Sequence, residues 1–557
     1  MEVRRWWWWW CRAEEERMCS WQRRMTSSAK LLAFMVPLII MVVLFGLVSL
    51  IGENNNSVLT NRNLISGNTT NLIISSNVLE DSMLLSPPKA RGNISTAVGD
   101  PVVVGGGAAT GVSHEVAAAP SPSPLADYNK AVGQKEIILN ITANDSFQIY
   151  PPLNETHALP LSARIQRRSS IHLERLEAKM QKARTAIRGA SYSNQSYDPD
   201  YVPTGPMYWN ANSFHRSYLE MEKQFKVYVY GEGEPPIFHN GPCKSIYAME
   251  GNFIYYMENS KFRTKDPNKA NMFFLPISMT TIVHFIFDKR SKDHWHPLKK
   301  TVRDYVNLVA GKYPYWNRSH GADHFILACH DWGPELSLSV PELYQNSIRC
   351  LCNANTSEGF NPSKDVSFPE IHLPGGTINE LIGGPSPSKR PILAFFAGGL
   401  HGPIRPILLE HWENNKDPDI QIHKYLPKGV SYYGMMKKSK YCICPSGYEV
   451  ASPRLVEALY TGCVPVIIKD HYVAPFSDVL NWKAFSVDIP VKDIPNLKNI
   501  LAGISTRQYI RMQRRGKQVR RHFEVSFPPK RYDVFHMILH SVWLRRLNIR
   551  LNGGEHS

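Results

Sequence analysis

The spacing of apolar and polar residues beyond residue 208 predicts strands and helices in repeated alternation. Short apolar runs, typical of buried strands, occur in KVYVY (226–230), NMFFLPI (271–277) and HFILACH (324–330). Segments with apolar residues at helical spacing lie between them, at 245–259 and 296–313. The turn-rich stretch GGPSPSKR, which ends at Arg390, then predicts a hinge.

The same alternation resumes directly after the predicted hinge. Further apolar runs predict strands at 391–398, 419–425, 440–447, 463–469 and 485–489. Helical patterns fall between them at 405–414, 431–439 and 452–462, and basic helical segments follow from about 505 to 543. Strands that alternate with helices indicate parallel sheets with helices on both faces. We expect two α/β units with a cleft between them, a natural site for a nucleotide-bearing substrate.

Residues 31–51 form an uncharged apolar run that predicts a transmembrane helix. At about 1.5 Å per residue, such a helix crosses the roughly 30 Å hydrocarbon core of a bilayer. Basic residues crowd the segment before the run, whereas Arg62 stands nearly alone after it, so the rule that positive loops stay inside places the N-terminus in the cytosol. A cleaved signal peptide is the alternative, but its apolar core usually spans only about 7–15 residues.

The segment after the predicted anchor resembles a stem. Residues 52–160 contain low-complexity stretches such as GGGAATG and AAAPSPSP, which cannot bury a core. Acceptor sequons for N-glycosylation, expected in a lumenal chain, occur at Asn55, Asn68, Asn93, Asn140, Asn144, Asn154, Asn194, Asn317 and Asn355. Residues 161–190 have apolar positions at helical spacing, which fits a stem coiled coil, a helix packed on the next domain, or a solvated amphipathic helix.

Charge and cysteine content narrow the functional classes. The formal net charge of +16 is compatible with nucleic acid, a membrane surface or acidic small molecules. No zinc-finger spacing, RNA-recognition signature or continuous basic helix accompanies it, so we discount nucleic acid and keep nucleotide phosphates as partners. An oxidising lumen permits disulfides among the cysteines beyond the anchor, although we expect Cys442 and Cys444 to be buried apolar thiols.

The most informative motif is YCICPSGYEVASPRLVEALYTGCVPVIIK (441–469), which predicts strand, turn, helix and strand. Ser446, Gly447 and Ser452 lie in the turn, with Ser452 placed to cap a helix that has proline at its first position. The N–H groups of a helix start bind anions, and Arg454 adds a cation there. Glu457, one turn further, is suited to accept both ribose hydroxyls. A capped helix with an Arg/Glu surface pair is the structural alternative.

Two further strand ends are candidate sites. FFAGGLHGPIR (395–405) places Gly398 and Gly399 before Arg405, which fits either a pyrophosphate clamp or a tight βα turn. HFILACHDWGP (324–334) delivers His330 and Asp331 to a turn, which fits either a general base or an Asx turn.

Long stretches of the chain are similar to the plant branch of the exostosin glycosyltransferase family (family 47). They include FHRSYLEMEKQFKVYVYGEGEPPIFHNGP, YPYWNRSHGADHFILACHDWGP, SIRCLCNANTSEGFNPSKDVSFPE and CPSGYEVASPRLVEALYTGCVPVII, within residues 205–525. Asn271 stands where many relatives have His, which leaves open any role for a side chain at that position.

The resemblance implies a GT-B-like fold, α/β, with two Rossmann-like domains facing a cleft, preceded by the transmembrane helix and a disordered stem. The expected units are a cytosolic tail (1–30), the anchor (31–51), a lumenal stem (52–200), an acceptor-side domain (201–388), a nucleotide-sugar-binding domain (389–545) and a tail (546–557). The implied enzyme is a single-pass type II protein of the Golgi membrane with a lumenal catalytic region.

The implied reaction is an inverting transfer from a UDP-sugar to a cell-wall matrix polysaccharide or glycan. Arg405 and Arg454 would hold the diphosphate and Glu457 the ribose, with no tightly bound cofactor and no metal requirement. For the catalytic base we take Asp331 first, then Glu250 and His330. A non-catalytic scaffold for a Golgi synthase complex is the alternative function, and homo- or hetero-oligomers with other Golgi transferases stay open. A lumenal carbohydrate-binding or hydrolytic protein fits less well, because no carboxylate pair is evident.

Overall fold

The computed structural model describes residues 161–192, 197–413 and 417–551. The predicted anchor, the stem before residue 161 and seven of the predicted sequons, including Asn194, lie outside these ranges. Among the helices that the model describes, none is long and apolar enough to cross a membrane.

Within the described residues, six strands form a parallel sheet in the first half of the chain. They are β1 (Val227–Val229), β2 (Arg263–Thr264), β3 (Met272–Phe274), β4 (His324–Ala328), β5 (Ile348–Leu351) and β6 (Val366–Ser367). Their order in the sheet is β2-β1-β3-β4-β5-β6. The apolar runs predicted as strands supply β1, β3 and β4, whose side chains are almost all buried.

Helices connect and cover these strands. They are α1 (Leu161–Ala190), α2 (Ala211–Gln224), α3 (Met249–Asn259), α4 (Met279–Ile286), α5 (Trp295–Lys312), α6 (Pro314–Ser319), α7 (Gly333–Ser337) and α8 (Pro341–Gln345). Polar side chains cap several of them: Asn210 accepts from the backbone of Ser213 at the start of α2, and Ser278 accepts from Thr281 at the start of α4.

Helix α1 packs on the folded region, which decides among the three interpretations of residues 161–190. Its apolar positions Leu173, Met180 and Ala183 are buried. Arg184 donates through Nε to the carbonyl of Leu547 over 2.6 Å and through Nη2 to the carbonyl of Ile549 over 3.0 Å. The helix therefore covers the domain that follows it in sequence.

Five strands of the described chain form a second parallel sheet. They are β7 (Ile392–Ala397), β8 (Ile420–His423), β9 (Ser439–Pro445), β10 (Val464–Ile468) and β11 (Val487–Asp488), in the order β11-β10-β9-β7-β8. The accompanying helices are α9 (Ile404–Trp412), α10 (Tyr432–Lys438), α11 (Arg454–Thr461), α12 (Leu497–Gly503), α13 (Thr506–Val519) and α14 (Val534–Asn548). Two parallel α/β sheets of this kind confirm the predicted GT-B-like fold class.

The last helix, α14, returns to the first sheet. Its Arg546 donates through Nε to the carbonyl of Asn271 over 2.8 Å, and its Arg545 donates to the carbonyl of Asp365 over 3.1 Å. The Asn271 side chain accepts from the backbone N–H of Lys226 over 2.7 Å, so this position links β1 to β3 and α14. The domain limits predicted from sequence stay predictions, but the contacts of α14 lie with the first sheet.

Two disulfides link neighbouring strands of the two sheets. Cys329, just after β4, bonds Cys352, just after β5, and Cys442 in β9 bonds Cys463 at the start of the neighbouring β10. Cys444 is a buried free thiol, as predicted. The prediction of a free thiol at Cys442 is wrong, because parallel pairing of β9 with β10 brings it within 5.8 Å of Cys463, Cα to Cα.

Candidate active site

The candidate active site lies where the carboxyl ends of the two sheets face each other. The loop after β9 meets the loop after β5: the backbone N–H of Val450 donates to Asn353 Oδ1 over 3.3 Å, and Asn353 Nδ2 donates to Glu449 Oε2. Ligands of open α/β sheets bind at the carboxyl ends of the strands. The motifs after β4, β6, β7 and β9 therefore converge on one cleft.

The loops after β7 and β9 touch, which explains their glycines. A Cβ atom at Gly402, where φ is +68°, would lie 1.8 Å from the carbonyl oxygen of Gly447. A Cβ atom at Gly398 would lie 2.5 Å from Nη2 of Arg454, and one at Gly399 would lie 3.1 Å from the His401 ring. The glycines thus let two loops and an arginine approach each other more closely than side chains would allow.

Arg405 lies in the first turn of α9, buried beneath the β9 loop. A Cβ atom at Gly447 would lie 2.8 Å from its Nη2, so the guanidinium rests against that glycine. Its buried Nε has no hydrogen-bond partner among the described residues. Burial, with the neighbouring charge of Arg454, lowers the pKa of Arg405 to about 9. The structure therefore holds an under-compensated cation at a helix start, where an anion is favoured.

Arg454 is the first residue of α11. Its Nη2 donates to the carbonyl of Ala397 over 3.0 Å and its Nη1 to Ser452 Oγ over 3.4 Å, while the guanidinium stacks 5.2 Å from the centre of the Phe396 ring. The predicted capping role of Ser452 is wrong: Pro453 is the N-cap residue, without a side-chain cap, and Ser452 instead contacts Arg454. Arg454 is thereby fixed beside the end of β7.

Ser446 closes the turn after β9 rather than presenting its hydroxyl to the cleft. Its Oγ donates to the carbonyl of Val450 over 3.2 Å, and its backbone N–H donates to the carbonyl of Ile468 over 3.1 Å. The side chain is buried. Ser446 thus shapes the loop that carries Gly447.

Glu457 lies on α11, one turn beyond Arg454, and is buried. The hydroxyls of Tyr432 and Tyr433 donate to its two oxygens over 3.0 Å and 3.1 Å. His372 Nδ1 lies 3.7 Å from one of them. Burial and the charge of Glu457 raise the pKa of both tyrosines, which keeps them as donors. Each carboxylate oxygen keeps a lone pair for a further hydroxyl.

On the facing sheet, the strand end after β4 carries His330 and Asp331, both half-buried. Burial raises the pKa of Asp331 to about 6; the Tyr247 hydroxyl counteracts this rise and the charge of Glu358 adds to it. Burial lowers the pKa of His330 to about 4, and its Nδ1 accepts from the backbone N–H of Trp332 over 3.0 Å. His330 is therefore a neutral ring that shapes the turn, whereas Asp331 is a carboxylate suited to take a proton near neutral pH.

Glu250 is fully buried in α3, and hydrogen bonds surround its carboxylate. Oε1 accepts from the backbone N–H groups of Cys329 and His330 over 2.8 and 3.0 Å. Oε2 accepts from Ser278 Oγ over 2.5 Å and from the backbone of Thr280 over 2.9 Å. With these four donors, Glu250 positions the turn that carries Asp331, and it has no open lone pair for an acceptor hydroxyl.

Glu370, in the SFPE stretch, is a site residue to which the sequence patterns assigned no role. It follows β6 and is buried. Burial and the charge of Asp331 raise its pKa well above the usual value, while Arg454 and Arg405 counteract this rise. Glu370 thus lies between the base candidate of one sheet and the arginines of the other. No strand was predicted before Glu370, so the sequence pattern held no positional signal for it.

Among the described residues, no group of three or more His, Cys, Asp or Glu side chains is arranged to hold a metal ion. In the DPD stretch at 417–419, the backbone N–H of Asp419 donates to Asp417 Oδ1 over 3.0 Å, and Lys498 pairs with both carboxylates.

The two described sequons differ in accessibility. Asn317 is exposed on α6. Asn355 is buried, and its Oδ1 accepts from the backbone and hydroxyl of Ser357 over 3.0 and 2.8 Å at the start of a short 3-10 helix. The fold therefore leaves Asn317 available for a glycan and encloses Asn355.

A family model described as "Exostosin GT47 domain" matches residues 221–504. The chain belongs to the exostosin GT47 family. The family predicted from the motifs is thus confirmed, and the chain is a glycosyltransferase. The match includes Asp331, Glu370, Arg405 and Arg454.

Plant proteins are among the relatives of this GT47 member. It is 59% identical over 457 residues to the Arabidopsis thaliana "Probable glycosyltransferase At5g03795", covering 78% of this chain and 86% of that protein. It is 30% identical over 344 residues to the Arabidopsis "Probable beta-1,4-xylosyltransferase IRX10", covering 57% of this chain and 82% of that protein. The solved structure of Anabaena Alr3699/HepE in complex with UDP-glucose aligns with a TM-score of 0.30 and 11% identity, over 56% of this chain and 96% of that chain. The fold assignment rests on the sheet topology.

Proposed function

We propose that this GT47 glycosyltransferase moves a sugar from a UDP-sugar to a cell-wall matrix polysaccharide, with inversion at the anomeric carbon. The observation that carries the proposal is the pair of arginines at the starts of α9 and α11. Arg405 is a buried cation without a partner for its Nε, and Arg454 lies beside it. A diphosphate between them would receive charge-assisted hydrogen bonds and the favourable ends of two helices. The names of plant relatives, which include a xylosyltransferase, support a polysaccharide acceptor.

In the proposed reaction an acceptor hydroxyl attacks the anomeric carbon from the face opposite the diphosphate. The oxygen–carbon bond to the acceptor forms as the bond from carbon to the diphosphate oxygen breaks. The leaving UDP takes the electron pair, and Arg405 and Arg454 stabilise its added charge. The hydroxyl proton passes to Asp331, whose pKa of about 6 leaves it mostly ionised near neutral pH.

Glu457 and its tyrosines would hold the nucleoside. Its carboxylate lies one helical turn from Arg454 and already accepts from two hydroxyls, Tyr432 and Tyr433. The ribose hydroxyls of a UDP-sugar are donors of the same kind, and a carboxylate accepts two of them at once. Glu370, between the arginines and Asp331, faces the transferred sugar in this arrangement.

The non-catalytic scaffold is the second candidate function. A scaffold has no need of a buried Arg405 beside a half-buried Arg454, opposite a carboxylate of raised pKa, because a buried charge costs folding free energy when unpaired. The Arg405, Arg454 and Asp331 arrangement therefore favours the enzyme.

A donor screen tests the proposal. The purified full-length protein is given UDP-sugars and plant polysaccharide acceptors, and UDP release is measured. We expect release with one donor, a loss of about 100-fold or more for Asp331→Asn, and unchanged UDP binding by calorimetry. Asp304→Asn, an exposed carboxylate on α5, is the matched control and should keep full activity. UDP binding without turnover for any donor, together with co-purifying transferases, would favour the scaffold.

We also propose a type II Golgi location with the catalytic region in the lumen. The support is the apolar run at 31–51, the positive residues before it, and the sequons beyond it. The expected result is resistance of the full-length protein to alkaline carbonate extraction, glycan chains sensitive to endoglycosidase, and co-localisation with a Golgi marker. A protein released by carbonate and devoid of glycans would contradict this location.

A further inference from the structure

A cluster of aromatic rings lies beside the base candidate on the first half of the molecule. It consists of Phe287, His294, Trp295 and Trp332, all half-buried, and we name it the aromatic platform. The Trp332 ring centre lies 4.9 Å from that of Trp295, 5.2 Å from that of Phe287 and 6.1 Å from that of His294. Four rings in mutual contact thus keep part of their surface open to solvent.

The platform is continuous with the cleft. Trp332 directly follows Asp331, and its ring centre lies 5.7 Å from that of His330, which lies 4.8 Å from that of Tyr247. Tyr247 in turn acts on the pKa of Asp331. A line of rings therefore leads from the proposed base outward across the acceptor-side half.

The strand end that carries the platform is held firmly. The backbone N–H of Trp332 donates to His330 Nδ1 over 3.0 Å, and that of Gly333 donates to the carbonyl of His330 over 2.8 Å. A Cβ atom at Gly333 would lie 2.6 Å from the Ala328 side chain, so the turn packs directly on β4. Trp332 is thereby placed by the same turn that places Asp331.

The border between platform and cleft is acidic. Asn353 Nδ2 donates to Glu358 Oε2 over 3.4 Å and to Glu449 Oε2, so these two carboxyl groups lie together. The charge of Glu335 on α7 acts on Glu358, and the charge of Glu358 raises the pKa of Asp331. Burial, with the charges of Glu358 and Asp331, raises the pKa of Glu449 to about 8. The nearby cation Lys299, 5.5 Å from the centre of the Trp295 ring, is paired with Glu335. Surroundings that raise the pKa of carboxyl groups also disfavour added negative charge, so a ligand carboxylate would be disfavoured along this border.

We propose that the aromatic platform and its acidic border bind the acceptor as a chain of neutral pyranose rings. The apolar C–H faces of such sugars stack on Trp295 and Trp332, and their hydroxyls donate to Glu335 and Glu358. Chains of uronate residues are disfavoured, because the surroundings of the border resist further negative charge. This inference rests on the proposed transferase function, since it assigns the acceptor side of the same cleft and names its chemical class.

Binding of defined oligosaccharides to the full-length protein tests the proposal. Neutral β-1,4-linked xylohexaose, mannohexaose and cellohexaose and the anionic hexagalacturonate are titrated without donor, and affinity is measured by calorimetry and tryptophan fluorescence. We expect at least one neutral chain to bind, and to bind about ten-fold or more tightly than hexagalacturonate. Tighter binding of hexagalacturonate, or no binding of any neutral chain, would overturn the proposal.

Substitutions distinguish the loss of stacking on the aromatic platform from a loss of binding that any tryptophan substitution would cause. Trp332→Ala and Trp295→Ala should each weaken neutral-chain binding about ten-fold, whereas Trp332→Phe, which keeps a stacking ring, should retain most of it. Trp209→Ala is the matched control, because Trp209 is 50% exposed and lies outside the platform. Equal losses for Trp209→Ala, or wild-type affinity for Trp332→Ala, would contradict the inference.

Two further outcomes keep this inference distinct from the proposed function. UDP binding should be unchanged in the platform variants; if UDP does not bind the wild-type protein while neutral chains still require Trp332, the donor proposal fails and the platform stands. If the wild-type protein is a dimer and Trp295→Ala makes it monomeric, a second copy of the chain covers the platform and the inference is wrong.

Discussion

Replacing Arg405 by alanine should weaken UDP binding by roughly 10- to 150-fold. This guanidinium lies buried beside Arg454, with a pKa lowered to about 9 and with Nε unpartnered among the described residues. A diphosphate would supply the missing acceptor and opposite charge. A hydrogen bond to a charged group contributes about 1.5–3 kcal/mol net, and about 1.4 kcal/mol corresponds to ten-fold in affinity. The predicted loss of UDP affinity corresponds to the loss of one such hydrogen bond.

Isothermal titration of UDP and of uridine into the full-length protein measures the effect. Arg405→Ala should lose UDP affinity and keep uridine affinity, because uridine has no phosphate. Arg405→Lys should fall between, since lysine keeps the charge but not the planar fork. Arg511→Ala, an exposed arginine on α13, is the control. The predicted contact between Arg405 and the diphosphate is refuted if Arg405→Ala binds UDP within about two-fold of wild type, or if the affinities for uridine and UDP fall equally.

Arg454 gives a second test of the proposed diphosphate site. Arg454→Ala should also weaken UDP binding, and the double variant should lose less than the sum of the single losses, because both side chains would contact one diphosphate. Additive losses within about 0.3 kcal/mol would place the two arginines on separate ligands.

Other predictions concern proton transfer, stability and glycosylation. The kcat/KM profile should rise with pH through about 6 as Asp331 ionises, and Glu358→Gln should move this rise to lower pH, because the charge of Glu358 raises the pKa of Asp331; an unmoved profile would contradict the assignment. Cys442→Ser opens a disulfide of 21 residues' separation and should lower the free energy of unfolding by about 2–4 kcal/mol in denaturant titration, and reductant should cost at least as much, because it also opens Cys329–Cys352. In cells, Asn317→Gln should remove one glycan by gel mobility and Asn355→Gln none; a shift for Asn355→Gln would show that the sequon is used before that segment folds.

The strands that could be predicted are those with uninterrupted apolar side chains. β7 and β10 follow this rule, β4 and β9 do so after their first polar residues, and β8 was predicted from the alternation of its apolar and polar residues. β5 was missed because it contains Arg349, which is buried and pairs with Asp365 over 2.5 Å and with the carbonyl of Gly359 over 2.7 Å. A charge inside a strand breaks the apolar pattern, and its partners come from elsewhere in the chain. β2 and β6 have two residues each, too few for any period.

The residues of the candidate site also divide into those that could be predicted from the sequence and those that could not. Arg405, Arg454 and Glu457 could be predicted because each stands at a fixed spacing from a strand end or helix start. Glu370 could not be given a role, because its meaning depends on the approach of two sheets. The Cys442 disulfide was missed for a similar reason: strand order, not spacing, places it beside Cys463.

The central claim is an inverting transfer from a UDP-sugar, and proton NMR of the product tests it most directly. The full-length protein is incubated with the donor selected by the screen and with a neutral acceptor oligosaccharide, and the anomeric signal of the new linkage is recorded as UDP accumulates. From an α-linked donor we predict a β-linked product, one UDP released per linkage formed, and neither for Asp331→Asn. An α-linked product, or full turnover by Asp331→Asn, would contradict the account.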